Sequence, residues 1–166
     1  MFDDLLTPEG LAFVWAAAIA VLCGGIVGLE RQIRHKAIGI RTSMLICLGT
    51  QVFVRLGVDL GGAMTDPSRV LGQVVTGVGF LGAGVIMARG GTITGVTSAA
   101  VVWVLAAIGS TIGVGRATEA FALSLFAVAI LTTVRVLEST FNRLRRGSDE
   151  PDEPDEPDEM DGPSAG

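Results

Sequence analysis

The segment from Asp66 to Gly84 places a carboxylate, a guanidinium and an amide in or next to one apolar stretch. Asp66 is a favourable N-cap and Pro67 suits the first helical position, so the segment predicts a helix that begins here. Arg69 and Gln73 lie four residues apart and therefore share one face of this helix. Charged and amide side chains within a membrane find polar partners or mark a route for ions. The segment therefore predicts a polar site on a membrane-spanning helix.

This helix has two chemically different faces. One face carries polar and small residues at helical spacing, namely Arg69, Gly72, Gln73, Thr76, Gly79, Phe80 and Ala83. The other face is covered by Val70, Leu71, Val74, Val75, Val78, Leu81 and Val85. We expect lipid to solvate the apolar face, and Arg69 and Gln73 to point into protein. The residues expected to let a neighbouring helix approach are Gly72, Gly77, Gly79, Gly82, Ala83 and Gly84. We expect Trp103, in a later apolar run, to pack over this glycine face.

Residues 77–82 also match the G-x-G-x-x-G pattern of dinucleotide-binding proteins. That pattern requires a preceding strand and a following amphipathic helix, whereas here it lies inside an apolar helix. We therefore interpret these glycines as helix-packing residues. Other apolar runs contain glycines that suit the same purpose, namely Gly24, Gly25, Gly28, Gly109 and Gly113.

Glu30 closes the first apolar run and has two candidate partners. Arg34 lies four residues later, on the same helix face. Arg41, at the start of the second run, is the alternative. The sequence leaves both pairings open, and it predicts that Arg34 and Lys36 act mainly as anchors at the membrane surface.

Arg55 lies inside the second apolar run, with Asp59 four residues later. Its guanidinium either faces the interior of the bundle or extends outward to the membrane surface. Asp59, Asp66 and Arg69 are expected near the same end of the bundle, so the four residues are candidates for one polar cluster. Asp66 and Asp59 are the candidates for weak magnesium binding, and no other cofactor is expected.

Composition indicates the structure that must position these residues. Of 166 residues, 49% are hydrophobic and only 17% are charged, and the mean hydropathy is +0.58. Five apolar runs each approach the ~20 residues that a membrane crossing needs. They cover about 11–29, 42–58, 68–88, 95–113 and 117–137. The sequence therefore predicts an all-α membrane protein, a compact bundle of five transmembrane helices without a cleaved signal peptide.

The distribution of charge predicts orientation and domain limits. Nine acids lie in residues 149–161, and the remaining eight oppose all twelve Lys and Arg, so residues 1–148 carry a net charge of +4. Basic clusters follow the first and the fifth run, which places the N-terminus outside and the C-terminus in the cytoplasm. We expect a transmembrane domain over 1–141. Residues 142–166 are expected to form a basic and then acidic, disordered cytoplasmic tail.

Catalysis is not expected from this sequence. Its one histidine and two cysteines offer no nucleophile–base pair and no metal-binding pattern. Cys23 and Cys47 lie in apolar runs and are expected to be buried, inert thiols. We therefore predict that the protein is not an enzyme.

Several motifs resemble those of the MgtC/SapB family of bacterial inner-membrane proteins. They are Gly28-Leu-Glu-Arg31, Gly39-Ile-Arg-Thr42, Asp66-Pro-Ser-Arg69, residues 73–86, Gly95-Val-Thr-Ser-Ala-Ala100, Trp103 and Ala106-Ala-Ile-Gly109. The resemblance covers about residues 15–137. It implies an external N-terminus and a function in magnesium limitation, survival inside phagocytes (virulence) and stress adaptation. The functional residues that it implies are Glu30, Arg41, Thr42, Asp66, Arg69 and Gln73.

The chain departs from the family pattern at two places. Many members carry an ACT-like soluble domain after the last span, where this chain has the acidic tail. Ser43 stands where many relatives have histidine.

The resemblance implies a regulator of another membrane complex, such as the F-type ATP synthase. The alternative is a transporter or channel for magnesium, another cation or protons, with Asp66, Arg69 and Gln73 along the route. We expect a bacterial inner-membrane location, a bilayer environment, a possible homo-oligomer and no nucleic-acid partner.

Overall fold

The computed structural model describes residues 6–60, 66–89 and 92–147. Within them, five helices follow one another: α1 (Pro8–Ile33), α2 (Ile40–Leu60), α3 (Pro67–Val85), α4 (Val96–Gly113) and α5 (Ala117–Gly147). Each contains a stretch long and apolar enough to cross a membrane. The prediction of an all-α, five-span membrane protein is confirmed. The orientation of the termini stays a prediction, because the structure contains no membrane.

A short β-hairpin connects α3 to α4. Strands β1 (Met87–Arg89) and β2 (Thr92–Thr94) pair in antiparallel register, with Met87 opposite Thr94. The third predicted span therefore extended too far, since α3 ends at Val85. Gly95 follows the hairpin with φ of +89°, and a Cβ at this position would overlap the carbonyl oxygen of Val85. Only glycine fits there, which fixes where α4 begins.

Helix α4 lies at the centre of the bundle and packs against α1, α2 and α3. Leu105 and Ile108 have no exposed surface, and Val102 and Ile112 have almost none. Burial on most of its circumference explains why α4 has no distinct polar face. The core around α4 also includes Ala20, Cys23 and Val27 of α1 and Cys47 of α2.

Glycines bring α2 close to both α1 and α4. A Cβ on Gly28 would lie 2.6 Å from the Cα of Ile40, and one on Gly109 would lie 2.5 Å from the carbonyl oxygen of Cys47. Side chains at these positions would separate the helices. The packing role predicted for Gly28 and Gly109 is therefore confirmed. Small residues give the close backbone contact that holds helices together in lipid.

The two cysteines lie within this packed core. Cys23 and Cys47 are free and buried, as the sequence predicted. The Cys47 thiol donates a hydrogen bond of 3.2 Å to the carbonyl oxygen of Leu105.

Residues up to Leu131 form one compact unit, and a second unit begins at Thr132. In the first unit, Ala120 and Ser124 of α5 are fully buried. The helix α5 continues to Gly147, past the domain limit predicted at residue 141. Residues 148–166, which include the acidic tail, lie outside the described residues.

Candidate functional site

A buried hydrogen bond joins the end of α1 to the start of α4. Arg31 is 2% exposed, and its Nη2 atom donates a 2.7 Å hydrogen bond to the hydroxyl oxygen of Ser98. Ser98 lies in the first turn of α4 and is also buried. A hydrogen bond from a charged donor in a buried site is stronger than a neutral one. The contact therefore ties α1 to α4 at the end of the bundle where α1 terminates.

Glu30 is paired with Arg34 in this structure. Its Oε1 atom lies 2.5 Å from Nε of Arg34, while its side chain is 8% exposed. Arg41 and Thr42 are exposed on the first turn of α2. The alternative pairing of Glu30 with Arg41 is therefore not formed, because the i,i+4 geometry of α1 supplies a nearer guanidinium.

The turn between α1 and α2 is held by side-chain hydrogen bonds. Oε1 of Gln32 accepts a 3.2 Å bond from the N–H of Ile40, which lies at the start of α2. The Ser43 hydroxyl donates a 3.0 Å bond to the carbonyl oxygen of Gly39. Gln32 thus serves as the N-terminal cap of α2, since a free helical N–H requires an acceptor. This short turn holds Glu30 and Arg31 in place.

Near the other end of α2, Arg55 forms an ion pair with a residue of the same helix. Its Nε atom lies 3.0 Å from Oδ2 of Asp59. A polar cavity of about 730 Å³ borders this pair and is lined by Thr7, Glu9, Gly10, Phe13, Arg55 and Asp59. The described lining contains neither Asp66 nor Arg69. The four-residue cluster expected from sequence therefore appears only as the Arg55–Asp59 pair, beside the start of α1.

Asp66 caps α3 as the sequence predicted. Its Oδ1 atom accepts a 2.9 Å hydrogen bond from the N–H of Ser68. Hydrogen bonds from the hydroxyl and the backbone N–H of Ser68 lower the pKa of Asp66, and the positive charge of Arg69 lowers it further. The carboxylate is therefore ionised at neutral pH. It is a fixed negative charge beside Arg69 at one end of α3.

The polar face of α3 lies on the outside of the bundle. Its exposed members are Arg69, Gly72, Gln73, Thr76, Phe80 and Ala83. Val78 and Gly82 are buried and Val74 is half-buried, and these three lie on the opposite side of α3. The prediction that Arg69 points into the protein is wrong within one chain, whereas Gln73, although exposed, borders a cavity of about 620 Å³ between α2 and α3. Val74 and Val78 lie on the side of α3 that meets the other helices and line this cavity, so Arg69 is turned away.

The small residues of α3 have unequal environments. Gly82 is buried, and a Cβ there would lie 3.7 Å from both the Ala99 carbonyl oxygen and Cδ1 of Trp103. Trp103 therefore meets α3 at Gly82, while remaining half-exposed. Four other glycines have no neighbouring atom within 4 Å of an added Cβ, namely Gly72, Gly77, Gly79 and Gly84. Of the residues predicted for helix packing on α3, Gly82 alone is buried; Ala83 is exposed like Gly72, Gly77 and Gly84, and Gly79 is intermediate.

Gln51 is a buried polar residue that the sequence did not single out. It has no exposed surface, and neither of its side-chain amide atoms has a hydrogen-bond partner among the described residues. It shares one face of α2 with Cys47, Thr50 and Val54, all buried. The helical spacing of Gln51 from Cys47 and Val54 could have predicted its burial from the sequence, because it places Gln51 on the face of α2 that packs against α4.

Arg31 was also missed, because it lies in a basic cluster that indicates a membrane-surface anchor. The available signal was its helical phase. Gly24, Gly28 and Arg31 share one face of α1, and the glycines mark that face as the one in contact with α2. A residue on that face is buried even when it is charged.

Few side chains among the described residues are available to bind a metal ion. Among the described residues, no group of three or more His, Cys, Asp or Glu side chains is close enough to hold an ion together. Asp59 is already paired with Arg55, and Asp66 with the start of α3. A magnesium ion held by either carboxylate would therefore keep most of its water ligands.

Comparison with known proteins identifies a family whose model covers most of this chain. The model of the MgtC family matches residues 17–140. A protein named "Protein MgtC" from Brucella abortus (strain 2308) is 38% identical over 134 residues, covering 80% of this chain and 56% of the relative. "Putative magnesium transporter YhiD" from Escherichia coli (strain K12) is 44% identical over 110 residues, covering 62% and 51% respectively. "Protein MgtC" from Salmonella typhimurium is 35% identical over 125 residues, covering 75% and 53%.

The chain thus spans about half the length of the curated relatives that it matches. No solved structure matches it.

Proposed function

The chain belongs to the MgtC family of bacterial multi-pass membrane proteins, and from this premise we propose that it is a regulator of another membrane complex. In this proposal it acts during magnesium limitation or intracellular stress. It binds laterally, within the bilayer, and alters the activity of its partner. The partner proposed from the family resemblance is the F-type ATP synthase.

The outward position of the α3 polar face is the observation that carries this proposal. Arg69 and Gln73 are exposed, while Val78 on the opposite side of α3 is buried. Arg69, on the perimeter of the bundle, cannot line a route through its interior, and the cavity that Gln73 borders between α2 and α3 is otherwise lined mostly by apolar side chains. Arg69 is placed instead for contact with another protein in the plane of the membrane, where polar groups need partners.

The distribution of acids supports the same proposal. The described carboxylate side chains are at helix ends: Glu9, Glu30, Asp59, Asp66 and Glu119. The interior near the middle of the spans offers hydroxyl, thiol and amide groups, such as Ser124, Cys47 and Gln51. A cation route commonly uses carboxylates or carbonyl rings along its length. These interior groups suit packing better than conduction.

Regulation of ATP synthase is tested in inverted membrane vesicles that contain the protein at known amounts. We expect ATP-driven acidification of the vesicle lumen to fall as the protein increases, while respiration-driven acidification stays unchanged. An inhibited pump affects only the first signal, whereas an ion leak reduces both. The Gly109→Leu variant, which cannot pack α4 against Cys47 of α2, is the control for nonspecific effects of an overexpressed membrane protein.

Transport of magnesium or protons is the second candidate. The polar cavity beside Glu9 and Asp59 favours it, because two carboxylates border one space of about 730 Å³. The test is magnesium and proton flux into proteoliposomes, comparing the wild type with Asp59→Asn, Asp66→Asn and Arg69→Ala. Flux that these changes abolish establishes transport and overturns the regulator proposal. Absence of flux from correctly inserted protein removes the second candidate.

A further inference from the structure

The cavity of about 620 Å³ between α2 and α3 has no part in the proposed function. Thr50 of α2 and Val78 of α3 are buried and form its floor, whereas Phe53, Gln73 and Leu81 are exposed and form its rim. Most of the lining side chains are apolar. A cavity of this size, with an apolar lining and few polar groups, is typical of a binding site for a small ligand.

The helices α2 and α3 touch near the start of α3 and separate beyond it. A Cβ on Gly57 would lie 2.6 Å from the methyl carbons of Val70, so the two helices are in direct contact there. Gly49 and Gly77 both line the cavity, and no other helix among the described residues comes within 4 Å of a Cβ added to either. Glycine destabilises a helix interior relative to alanine. Here it makes no close contact that offsets this loss, and the missing side chains keep the cavity open.

The cavity opens onto the membrane-facing surface of the bundle. Its rim residues Phe53 and Leu81 are 67% and 52% exposed, and each lies in a span. Along α3 the lining extends from Val70 to Leu81, which is about 16 Å of helix. One leaflet contributes a similar length, about half of the ~30 Å hydrocarbon core. The acyl chains of the bilayer are therefore the molecules next to the opening.

Water and a further helix fit this cavity poorly. A bound water needs several polar partners, and the described lining offers only the side chains of Thr50 and Gln73. A helix is about 10 Å across, so it would have to force α2 and α3 apart where Gly57 meets Val70. An unbranched chain fits a space that narrows toward that contact. Because lipid is the solvent of the spans, mass action fills the site even when the affinity is low.

We propose that this cavity binds one acyl chain of a membrane lipid, from the leaflet at which α3 begins. The chain enters from the side, between Phe53 and Leu81, and lies against Thr50 and Val78. Gln73 lies nearer than Val78 to the start of α3, and its amide donates a hydrogen bond to the ester carbonyl oxygen of the chain. An exposed amide in hydrocarbon requires such a partner. The described lining does not include Arg69, so a bound lipid leaves the contact proposed for Arg69 free.

Photolabelling in proteoliposomes tests this site. The probe is a phosphatidylethanolamine that carries a diazirine near the middle of one acyl chain, and mass spectrometry locates the labelled residues. Thr50 and Val78 are each 6% exposed, so a chain on the outer surface of the bundle does not reach them. Phe80 is 81% exposed and shows that the probe has reached the protein, while the fully buried Leu105 of α4 is the negative control.

We expect labelling at Thr50, Val78 and Phe80, and none at Leu105. Labelling of Phe80 without Thr50 and Val78 would overturn the proposal, because it would place lipid on the surface alone. Equal labelling of Leu105 would also overturn it, since the probe would then enter the core without a specific site. A molecule without acyl chains that is extracted from the purified protein in equal amount would be the occupant instead.

Cavity-filling substitutions provide the second measurement. We expect Gly77→Leu to abolish labelling at Thr50, and Gly49→Leu to abolish labelling at Val78, while Phe80 stays labelled in both. Gly72→Leu is the matched control, because Gly72 is also without a neighbour within 4 Å of an added Cβ but does not line the cavity. Unchanged labelling of Thr50 in Gly77→Leu would contradict binding in this cavity.

The role of the amide is tested with Gln73→Leu. We expect weaker labelling at Thr50 and Val78 in this variant, because the chain loses its hydrogen bond at the ester. Unchanged labelling would overturn the assignment of Gln73 to the lipid ester. Photolabelling reports neither ATP-driven pumping nor ion flux, so its result is independent of the proposed function.

Discussion

Arg31 and Ser98 are separated by 66 intervening residues and joined by a buried hydrogen bond of 2.7 Å. The bond links the last turns of α1 to the first turn of α4, the helix around which the core is built. Arg31 therefore belongs to the interior of the bundle, although its neighbours in sequence form a basic, surface-exposed cluster. Its burial has direct consequences for stability.

Removing the Ser98 hydroxyl leaves the Arg31 guanidinium without one of its buried acceptors. We expect Ser98→Ala to lower the free energy of unfolding by about 1.5–3 kcal/mol. Thr97→Ala is the control, because Thr97 is exposed. Reversible unfolding in mixed micelles measures both changes. Equal effects of the two variants would contradict the structural role of the bond.

Arg31→Ala and Arg34→Ala compare a buried with a partly exposed arginine of the same helix. The Arg31 residue is 2% exposed, whereas the Arg34 side chain is 31% exposed. We expect the Arg31 variant to lose far more thermal stability in detergent, since it creates a cavity and orphans Ser98. Comparable midpoints for the two variants would show that Arg31 is not a core residue.

Glycines that look alike in the sequence are expected to respond in opposite ways. Gly109→Ala places a Cβ 2.5 Å from the Cys47 carbonyl oxygen, and overpacking of this kind costs about 1–3 kcal/mol or more. Gly79→Ala meets no atom within 4 Å, so the helix gains up to about 1 kcal/mol within one chain. Unfolding in detergent at a dilution that keeps the protein monomeric measures both. Destabilisation by Gly79→Ala under these conditions would contradict the packing of α3.

Gln51→Met is expected to stabilise the bundle. Both side-chain amide atoms of Gln51 are buried without a hydrogen-bond partner among the described residues, and an unsatisfied polar group costs about 1–3 kcal/mol. Methionine has a similar volume and no such cost. Gln32→Met is the matched control, and we expect it to destabilise because Gln32 caps Ile40. If Gln51→Met unfolds more readily than the wild type, the amide has a structural partner.

The cap at Asp66 is expected to make the start of α3 sensitive to acid. The pKa of Asp66 is lower in the folded protein than its ordinary value, which is about 3.9 in an unfolded chain. Its contribution is therefore complete above that value and is lost as the pH falls through the lower, folded pKa. Hydrogen exchange at the start of α3 in wild type and Asp66→Asn measures this. Only the wild type is expected to change as the medium becomes more acidic than pH 4.

Local features of this fold were predictable because their causes are local. The apolar stretch that a bilayer requires is continuous in sequence, so five helices were found from hydropathy alone. The Asp66 cap uses an acceptor two residues from its donor. The Glu30–Arg34 pair, also one turn apart, was only one of two pairings that the sequence left open. Gly28 and Gly109 lie within apolar runs, where a missing side chain indicates close packing.

Contacts between helices were less predictable, and α3 shows why. In water, the apolar face of a helix must be buried, so composition identifies the face that packs. In lipid, the valine face of α3 is equally stable against acyl chains and against another helix, so either face of α3 could pack against a neighbour. The shapes of α2 and α4 select Val74, Val78 and Gly82. Arg69 is left outside, opposite to the prediction.

The amino-acid sequence by itself determined the membrane as solvent, the number of spans and the Asp66 cap that begins α3, because these depend on neighbours within one or two turns. The tertiary structure decided which polar residues are buried and which are exposed. Arg31 and Gln51 became interior residues, and Arg69 became an exterior one, because burial in a helical bundle depends on the fit of distant surfaces. The hydrophobic effect, which would reveal that fit from composition in water, is absent between helices in lipid.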